Sequence, residues 1–445
     1  MIENYVAKTI DCTCGKTHKS NVEKVVIEHG VIEKGLIDFL KKNGYNKITL
    51  VCDKNGYGVA GENAENALKK GGFTVNTHVY CDEYLVPDER AVGNLVMGAT
   101  ADCDIFLAVG SGTVNDLTRF VSAIKGLPFA TVGIAPSMDG YVSPSSALIY
   151  NGFKLTFETH APKAVFFDPQ ILANAPREMI GAGVGDLLGK ISCLTDWKLS
   201  ETVTGEQRCG FISGIVEKAI EKTFAAKDGI TAQRDDAVAT LLEALLLSGI
   251  CMDYAGNSRP ASGCEHHMSH FLEMRYIIEN RAPVLHGVKV GICTVISLKA
   301  YEYVAKLEPD FRAVAKKKRT PYSEWEKAIK KAFRSAAGEI IDLEKISGKN
   351  DINGINARLA VIENKWGEIK ALAKKAGKPN EVKEFLSDIN APVFPEEIGV
   401  DREMLKETIL YAKEIRNRYT VLQLLYDLGE LENFAYTVLE EYYGR

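Results

Sequence analysis

IFLAVGSGTVNDLTRFVSAI, residues Ile105–Ile124, decides the fold of this 445-residue chain. Ile105–Val109 is a short run of apolar residues, the pattern of a buried strand. Gly110-Ser111-Gly112-Thr113-Val114-Asn115-Asp116 then turns the chain into a helix that runs through Ile124. Strand, glycine-rich turn, helix is an arrangement that cradles a pyrophosphate. Glycines let the backbone approach the anion, and the first turn of the helix supplies N–H donors and the positive end of its dipole.

The segments on either side repeat this alternation. Lys47–Cys52 reads as a strand ending at Asp53, followed by an alanine-rich helix over Ala60–Lys70. Phe73–Tyr80 is a second strand, and helical sequence around Asp88–Gly98 leads to the third at Ile105. Phe129–Ile134 is a fourth, Ala147–Thr156 a hairpin, and Lys163–Asp168 the last strand. Val22–Asn43 reads as helical. Strands alternating with helices imply a parallel sheet covered on both faces. The acid at a strand end, Asp53, precedes the glycines, the reverse of the usual dinucleotide fingerprint. The domain is therefore a variant Rossmann unit or a different phosphate binder.

Past Pro176 the composition turns helical, so the expected division is an α/β domain over residues 1–177 and an all-α domain over 178–445. Gly181-Ala-Gly183-Val-Gly185 follows no strand and is discounted as a nucleotide loop; Asp186 can cap a helix or serve as a metal ligand. Asp235–Asp253 is apolar almost all round, as a core helix is. After it comes GNSRPASGCEHHMSHFLEMRYIIENRAPVLHGVKVG, Gly256–Gly291, which holds four of the eight histidines. With Ser262 as N-cap, His266 and His270 share a helix face, while His267 points roughly 100° away. Two facing imidazoles with His286 returning from a loop could hold a first-row metal.

Composition sets the remaining bounds. Hydrophobic residues at 46%, charged residues at 25% and a net charge of −5 suit a globular protein without general affinity for nucleic acid or membrane surfaces. No signal pattern opens the chain and its ten cysteines are scattered, so a cytoplasmic protein with reduced thiols is expected. Cys12-Thr-Cys14-Gly-Lys-Thr-His18 offers three zinc-type ligands, one short of a structural site; a strand turning at Gly15 accounts for it equally well.

Five motifs together carry a resemblance: VGSGTVNDL (109–117), APSMDGYVSP (135–144), GVGD (183–186), GNSRPASGCEHHMSH (256–270) and LHGVKVG (285–291). The chain resembles the bacterial sn-glycerol-1-phosphate dehydrogenases, within the superfamily of iron-type alcohol dehydrogenases, glycerol dehydrogenases and dehydroquinate synthases. One departure is Gly287-Val288-Lys289, where archaeal members often carry Gly-Glu-Gln. The resemblance implies a dinucleotide domain, a helical domain and one divalent metal. It makes Asp186, His266 and His286 the metal ligands and moves His270 off the metal, toward the reacting centre. It places Gly110, Ser111, Gly112, Thr113 and Asp116 at the cofactor phosphates and nicotinamide side, Asp53 at the adenosine ribose, and Thr131, Ser137 and Ser143 beside the cofactor. Asp139 then borders both nicotinamide and substrate, and is a catalytic candidate with His270.

The activity implied is reversible reduction of dihydroxyacetone phosphate to sn-glycerol 1-phosphate, with NAD or NADP and zinc or nickel. A glycerol dehydrogenase or a sugar-phosphate cyclase is the alternative. Arg259 and Lys289, which flank the ligand stretch, are the candidates for the substrate phosphate. A homo-oligomer is expected.

Overall fold

Short runs of β-branched and aromatic residues build the core of the first half of the chain. The computed structural model describes residues 2–100, 102–151 and 153–444. The described chain divides into two compact units, Met1–Leu187 with Gly214–Asn257, and Leu188–Ser213 with Ser258–Arg445.

In the first unit, β1 (Thr9–Asp11) and β2 (Thr17–Lys19) form an antiparallel hairpin. β3 (Lys24–Ile27), β4 (Lys47–Asp53), β5 (Thr74–Tyr80), β6 (Ile105–Gly110), β7 (Phe129–Gly133) and β10 (Ala164–Phe167) form one parallel sheet, in the order β3-β10-β7-β6-β4-β5. β8 (Ser145–Tyr150) and β9 (Phe153–Glu158) make the expected hairpin. β6, β7 and β10 are buried along their whole length, as parallel strands covered on both faces must be.

One expectation fails here. Val22–Asn43 is not helical throughout: Val25, Val26 and Ile27 pair in parallel with β10, and the helical part begins only at Ile32. Three successive β-branched residues fit a pleated edge better than a helix.

The chain passes from β4 outward to β5, then returns to place β6 on the other side of β4. That reversal opens a crevice at the carboxyl ends of β4 and β6, the place where open parallel sheets bind ligands. α1 (Gly112–Ile124) follows β6 directly.

α2 (Arg177–Thr204) carries the division between the units, just after Asp186; the boundary expected at Glu178 falls earlier on the same helix. α3 (Asp235–Ala255) belongs to the first unit and is long and apolar enough to cross a membrane, but 72% of that window is buried within the protein. It is a core helix. The second unit is built of helices; α4 (Cys264–Ile278) and α5 (His286–Lys306) carry its histidines.

Candidate active site

Asp53 ends β4, and its side chain accepts the Gly56 N–H at 2.5 Å. A Cβ at Gly56 would lie 3.0 Å from Asp53 Oδ1 and 3.0 Å from the Val109 carbonyl, so the turn after β4 rests directly against the glycine turn after β6. Ser111 is the extended N-cap of α1, with Gly112 and Thr113 in its first turn. A Cβ at Gly112 would meet Met138 Sδ at 2.8 Å. Asp53, Gly110, Ser111, Gly112 and Thr113 are thus gathered at the reversal of strand order. Two other expected cofactor residues have partners of their own. Thr131 is fully buried and donates to Asn115 Oδ1 at 2.7 Å, while Asp116 accepts from the buried Arg119 at 2.6 Å.

Arg119 explains how the segment Ala135–Pro144 is held. Its guanidinium donates to the carbonyls of Gly140 at 2.6 Å, Tyr141 at 3.1 Å and Ser145 at 2.7 Å. Tyr141 closes the loop by donating to the Ala135 carbonyl at 2.8 Å. Ser137 and Ser143 are buried, the latter 3.0 Å from Ser145 Oγ. Two helices press against this loop through glycines. A Cβ at Gly183 of α2 would lie 1.8 Å from the Pro136 carbonyl oxygen, and one at Gly249 of α3 would lie 2.6 Å from that of Asp139. Gly181–Gly185 lies within α2, and the bareness of Gly183 is set by the loop.

Asp186 is not a helix cap. It lies inside α2, fully buried, and its Oδ2 accepts the Asp139 N–H at 2.9 Å. Asp139 Oδ2 in turn accepts from Ser248 at 2.9 Å. The loop thus fixes the orientation of the Asp186 carboxylate.

In the second unit, α4 and α5 bring three histidines together. Ring centroids lie 5.3 Å apart for His266 and His286, 5.7 Å for His270 and His286, and 6.1 Å for His266 and His270. Each ring has a carboxylate at Nδ1: Glu265 lies 2.8 Å from His266, and Glu273 lies 3.0 Å from His286 and 3.1 Å from His270. A carboxylate at Nδ1 selects the tautomer whose lone pair is on Nε2, the arrangement found behind metal-bound imidazoles. Burial opposes the charge of Glu265, yet His266, Ser192 and the Gly263 N–H hold its carboxyl below the usual range. His267 takes the opposite course. It is wholly buried, and burial together with the charges of Arg418, Arg416 and Lys349 keeps it neutral.

Ser262 is not the N-cap of α4. The helix starts from Gly263, and the Cys264 N–H donates at 2.7 Å to the buried Asp196, which also accepts from Tyr301 and from the Val421 N–H. The Ser262 carbonyl instead accepts from Arg418 at 3.0 Å.

The two cations expected at the substrate phosphate are already paired. Arg259 gives Nε and Nη2 to Glu206 at 3.0 and 2.9 Å, and Nη2 also reaches the carbonyls of Asp196 and Tyr419. Lys289 lies 3.4 Å from Glu273 and donates to the Val284 carbonyl. Arg418 differs. Burial and the like charges of Arg259 and Arg416 push its guanidinium down to about 10, the mark of a cation among cations. Glu265, Glu273, Arg416 and Arg418 were not singled out in the sequence. The two glutamates could have been, since Glu265 adjoins His266 and Glu273 stands one helical turn from His270.

Comparison with known proteins adds an independent line. Residues 26–176 match the family model described as iron-containing alcohol dehydrogenase. A glycerol-1-phosphate dehydrogenase [NAD(P)+] of Bacillus licheniformis is 32% identical over 96% of this chain and 95% of its own length. One of Halalkalibacterium halodurans is 37% identical over 66% of this chain and 75% of its own length. Among solved structures, glycerol dehydrogenase from Schizosaccharomyces pombe superposes with a TM-score of 0.59 at 15% identity, covering 96% of this chain and 92% of that one, which shows the shared fold.

Proposed function

The chain belongs to the NAD(P)-linked glycerol-1-phosphate dehydrogenases of the iron-containing alcohol dehydrogenase superfamily, and from that premise we propose that it reduces dihydroxyacetone phosphate reversibly to glycerol 1-phosphate. We assign the sn-1 configuration to the product and place the enzyme in the cytoplasm as a homo-oligomer. The observation that carries the site assignment is the row of histidines whose Nδ1 atoms are each held by a carboxylate, because such backing suits ligation through Nε2.

The metal is assigned to Asp186, His266 and His286, one carboxylate and two neutral imidazoles, a donor set that suits zinc or nickel. When bound, the cation stabilises the charge that develops on the ketone oxygen as NAD(P)H gives up its hydride. The protein does the rest. The Asp139 N–H and Ser248 keep the Asp186 carboxylate in place. Glu265 and Glu273 hold the imidazoles in the ligating tautomer. His270, partly exposed and backed by Glu273, is the proton donor assigned to the new alkoxide.

Gly110, Ser111, Gly112 and Thr113 take the cofactor phosphates, and Asp53 the ribose hydroxyls, a role that favours NAD over NADP by repelling a 2′-phosphate. Asp116, Thr131, Ser137 and Ser143 keep their proposed cofactor roles, Ser137 and Ser143 on the loop that carries Asp139, Asp116 on α1 and Thr131 on β7. Arg259 and Lys289 serve chiefly to balance Glu206 and Glu273, so the substrate phosphate falls to Arg418 with Arg416.

Substrate choice tests the reading. NADH consumption with dihydroxyacetone phosphate, abolished by chelator and at least a hundredfold weaker with dihydroxyacetone, is expected from a charged phosphate contact. Equal turnover of both ketones would instead indicate a glycerol dehydrogenase.

A further inference from the structure

The β1–β2 hairpin carries Cys12, Cys14 and His18, which the dehydrogenase chemistry leaves unused. Its turn is tight: the Gly15 N–H donates to the Cys12 carbonyl at 3.0 Å, the Cys12 N–H to that of Lys16 at 3.1 Å, and Gly15 takes a φ of +85°. This folds the two sulfurs toward the imidazole. The ligand atoms of Cys12, Cys14 and His18 lie within 4.8 Å of one another, with Cys14 Sγ 3.4 Å from His18 Nε2.

Two details point to an ion and not merely a turn. The Cys14 N–H is directed at Cys12 Sγ at 3.5 Å, which fixes that sulfur within the turn beside Cys14. His18 is 2% exposed, and its Nδ1 lies 2.9 Å from the Tyr254 carbonyl. A carbonyl can only accept, so Nδ1 carries the proton and the lone pair of Nε2 faces the sulfurs. A buried imidazole fixed by a carbonyl behind it and facing two sulfurs is the donor arrangement of a thiolate-rich zinc site.

We infer that Cys12, Cys14 and His18 bind a structural Zn²⁺ distinct from the metal assigned to the active site. The ion's purpose follows from where the hairpin is attached. His18 meets Tyr254 at the end of α3, Asn21 donates to Asp253 at 2.7 and 2.9 Å, and Tyr254 donates to the Tyr5 carbonyl at 2.6 Å. Zinc there fastens the N-terminal segment to the last turn of α3. Tetrahedral zinc takes a fourth donor, a further thiolate or a water.

Cobalt(II) provides the test, because the active-site set of Asp186, His266 and His286 contains no sulfur. Full-length protein stripped of metal and reloaded with cobalt is expected to show a thiolate-to-cobalt charge-transfer band in the near ultraviolet. Cys12→Ser and Cys14→Ser should each remove or strongly weaken it while leaving turnover of dihydroxyacetone phosphate within about twofold. Absence of the band in the wild-type protein, or its persistence in both variants, overturns the inference. Should the variants fail to fold, X-ray absorption at the zinc edge of wild-type protein decides: about one sulfur or more per zinc, averaged over both sites, supports the site, and a shell of nitrogen and oxygen alone refutes it. Neither outcome depends on the enzyme's substrate.

Discussion

Glu273 Oε1 lies 3.0 Å from Nδ1 of His286, and the same carboxylate reaches His270 with its other oxygen. One acid thus sets the ring orientation of a proposed metal ligand and of the proposed proton donor. Replacing it with glutamine keeps the shape but removes the charge that makes the imidazoles basic. Glu273→Gln is expected to lower metal affinity by roughly 10–100-fold, the usual effect of losing such a partner. Competition against a chromogenic chelator measures it; an unchanged affinity would mean that Glu273 serves only to pair Lys289.

Arg418 and Arg259 should separate cleanly. Loss of a charged hydrogen bond to the substrate phosphate costs about 1.5–3 kcal/mol, so Arg418→Gln is expected to raise KM for dihydroxyacetone phosphate roughly 10–100-fold. Its effect on dihydroxyacetone should be small. Arg259→Ala leaves Glu206 without its partner and should instead lower stability by about 2 kcal/mol, with KM for the phosphorylated ketone little changed. Steady-state kinetics beside thermal unfolding distinguishes the two.

A buried charge cluster predicts acid sensitivity. Burial opposes ionisation of Glu414, but Lys413 and Lys349, with Asn350, bring its carboxyl down to about 2 from the ordinary 4.5. Between those values the unfolded chain binds more protons than the folded one, so stability present above pH 4.5 is lost as pH falls toward 2. Glu414→Gln should flatten that part of the stability curve. At neutral pH it should cost about 3–5 kcal/mol, because two buried ammonium groups lose their counter-charge. Denaturant unfolding across the pH range checks both effects.

What the sequence disclosed was local. The strand–turn–helix at Ile105–Ile124, the acid at Asp53 and the histidine stretch each announce themselves within one or two turns of chain. Long-range pairing hid the rest. β3 is four residues long, and its partner β10 lies over a hundred positions away, so its apolar run passed for helix. Gly183 can be discounted as part of a nucleotide loop from the sequence, but the reason it is a glycine, the Pro136 carbonyl that forbids a side chain there, cannot be seen from neighbouring residues. The start of α4 is satisfied by Asp196 and not by the adjacent Ser262, a choice made by tertiary packing. Arg418 follows the histidines by well over a hundred positions, so only the fold brings its charge to bear on His267. Arg259 was noticed for its place beside the motif, whereas its salt bridge to Glu206 depends on the loop that follows α2, over fifty positions earlier in the chain.

The central claim is that Asp186, His266 and His286, and not His270, hold the catalytic metal. The most direct test is the metal content of wild-type protein and of Asp186→Asn, His266→Ala, His286→Ala and His270→Ala, each equilibrated with the same limiting free zinc. The first three variants should each bind one equivalent fewer than wild type, while His270→Ala keeps the full complement and loses turnover. Metal retained in Asp186→Asn but lost in His270→Ala would contradict the account.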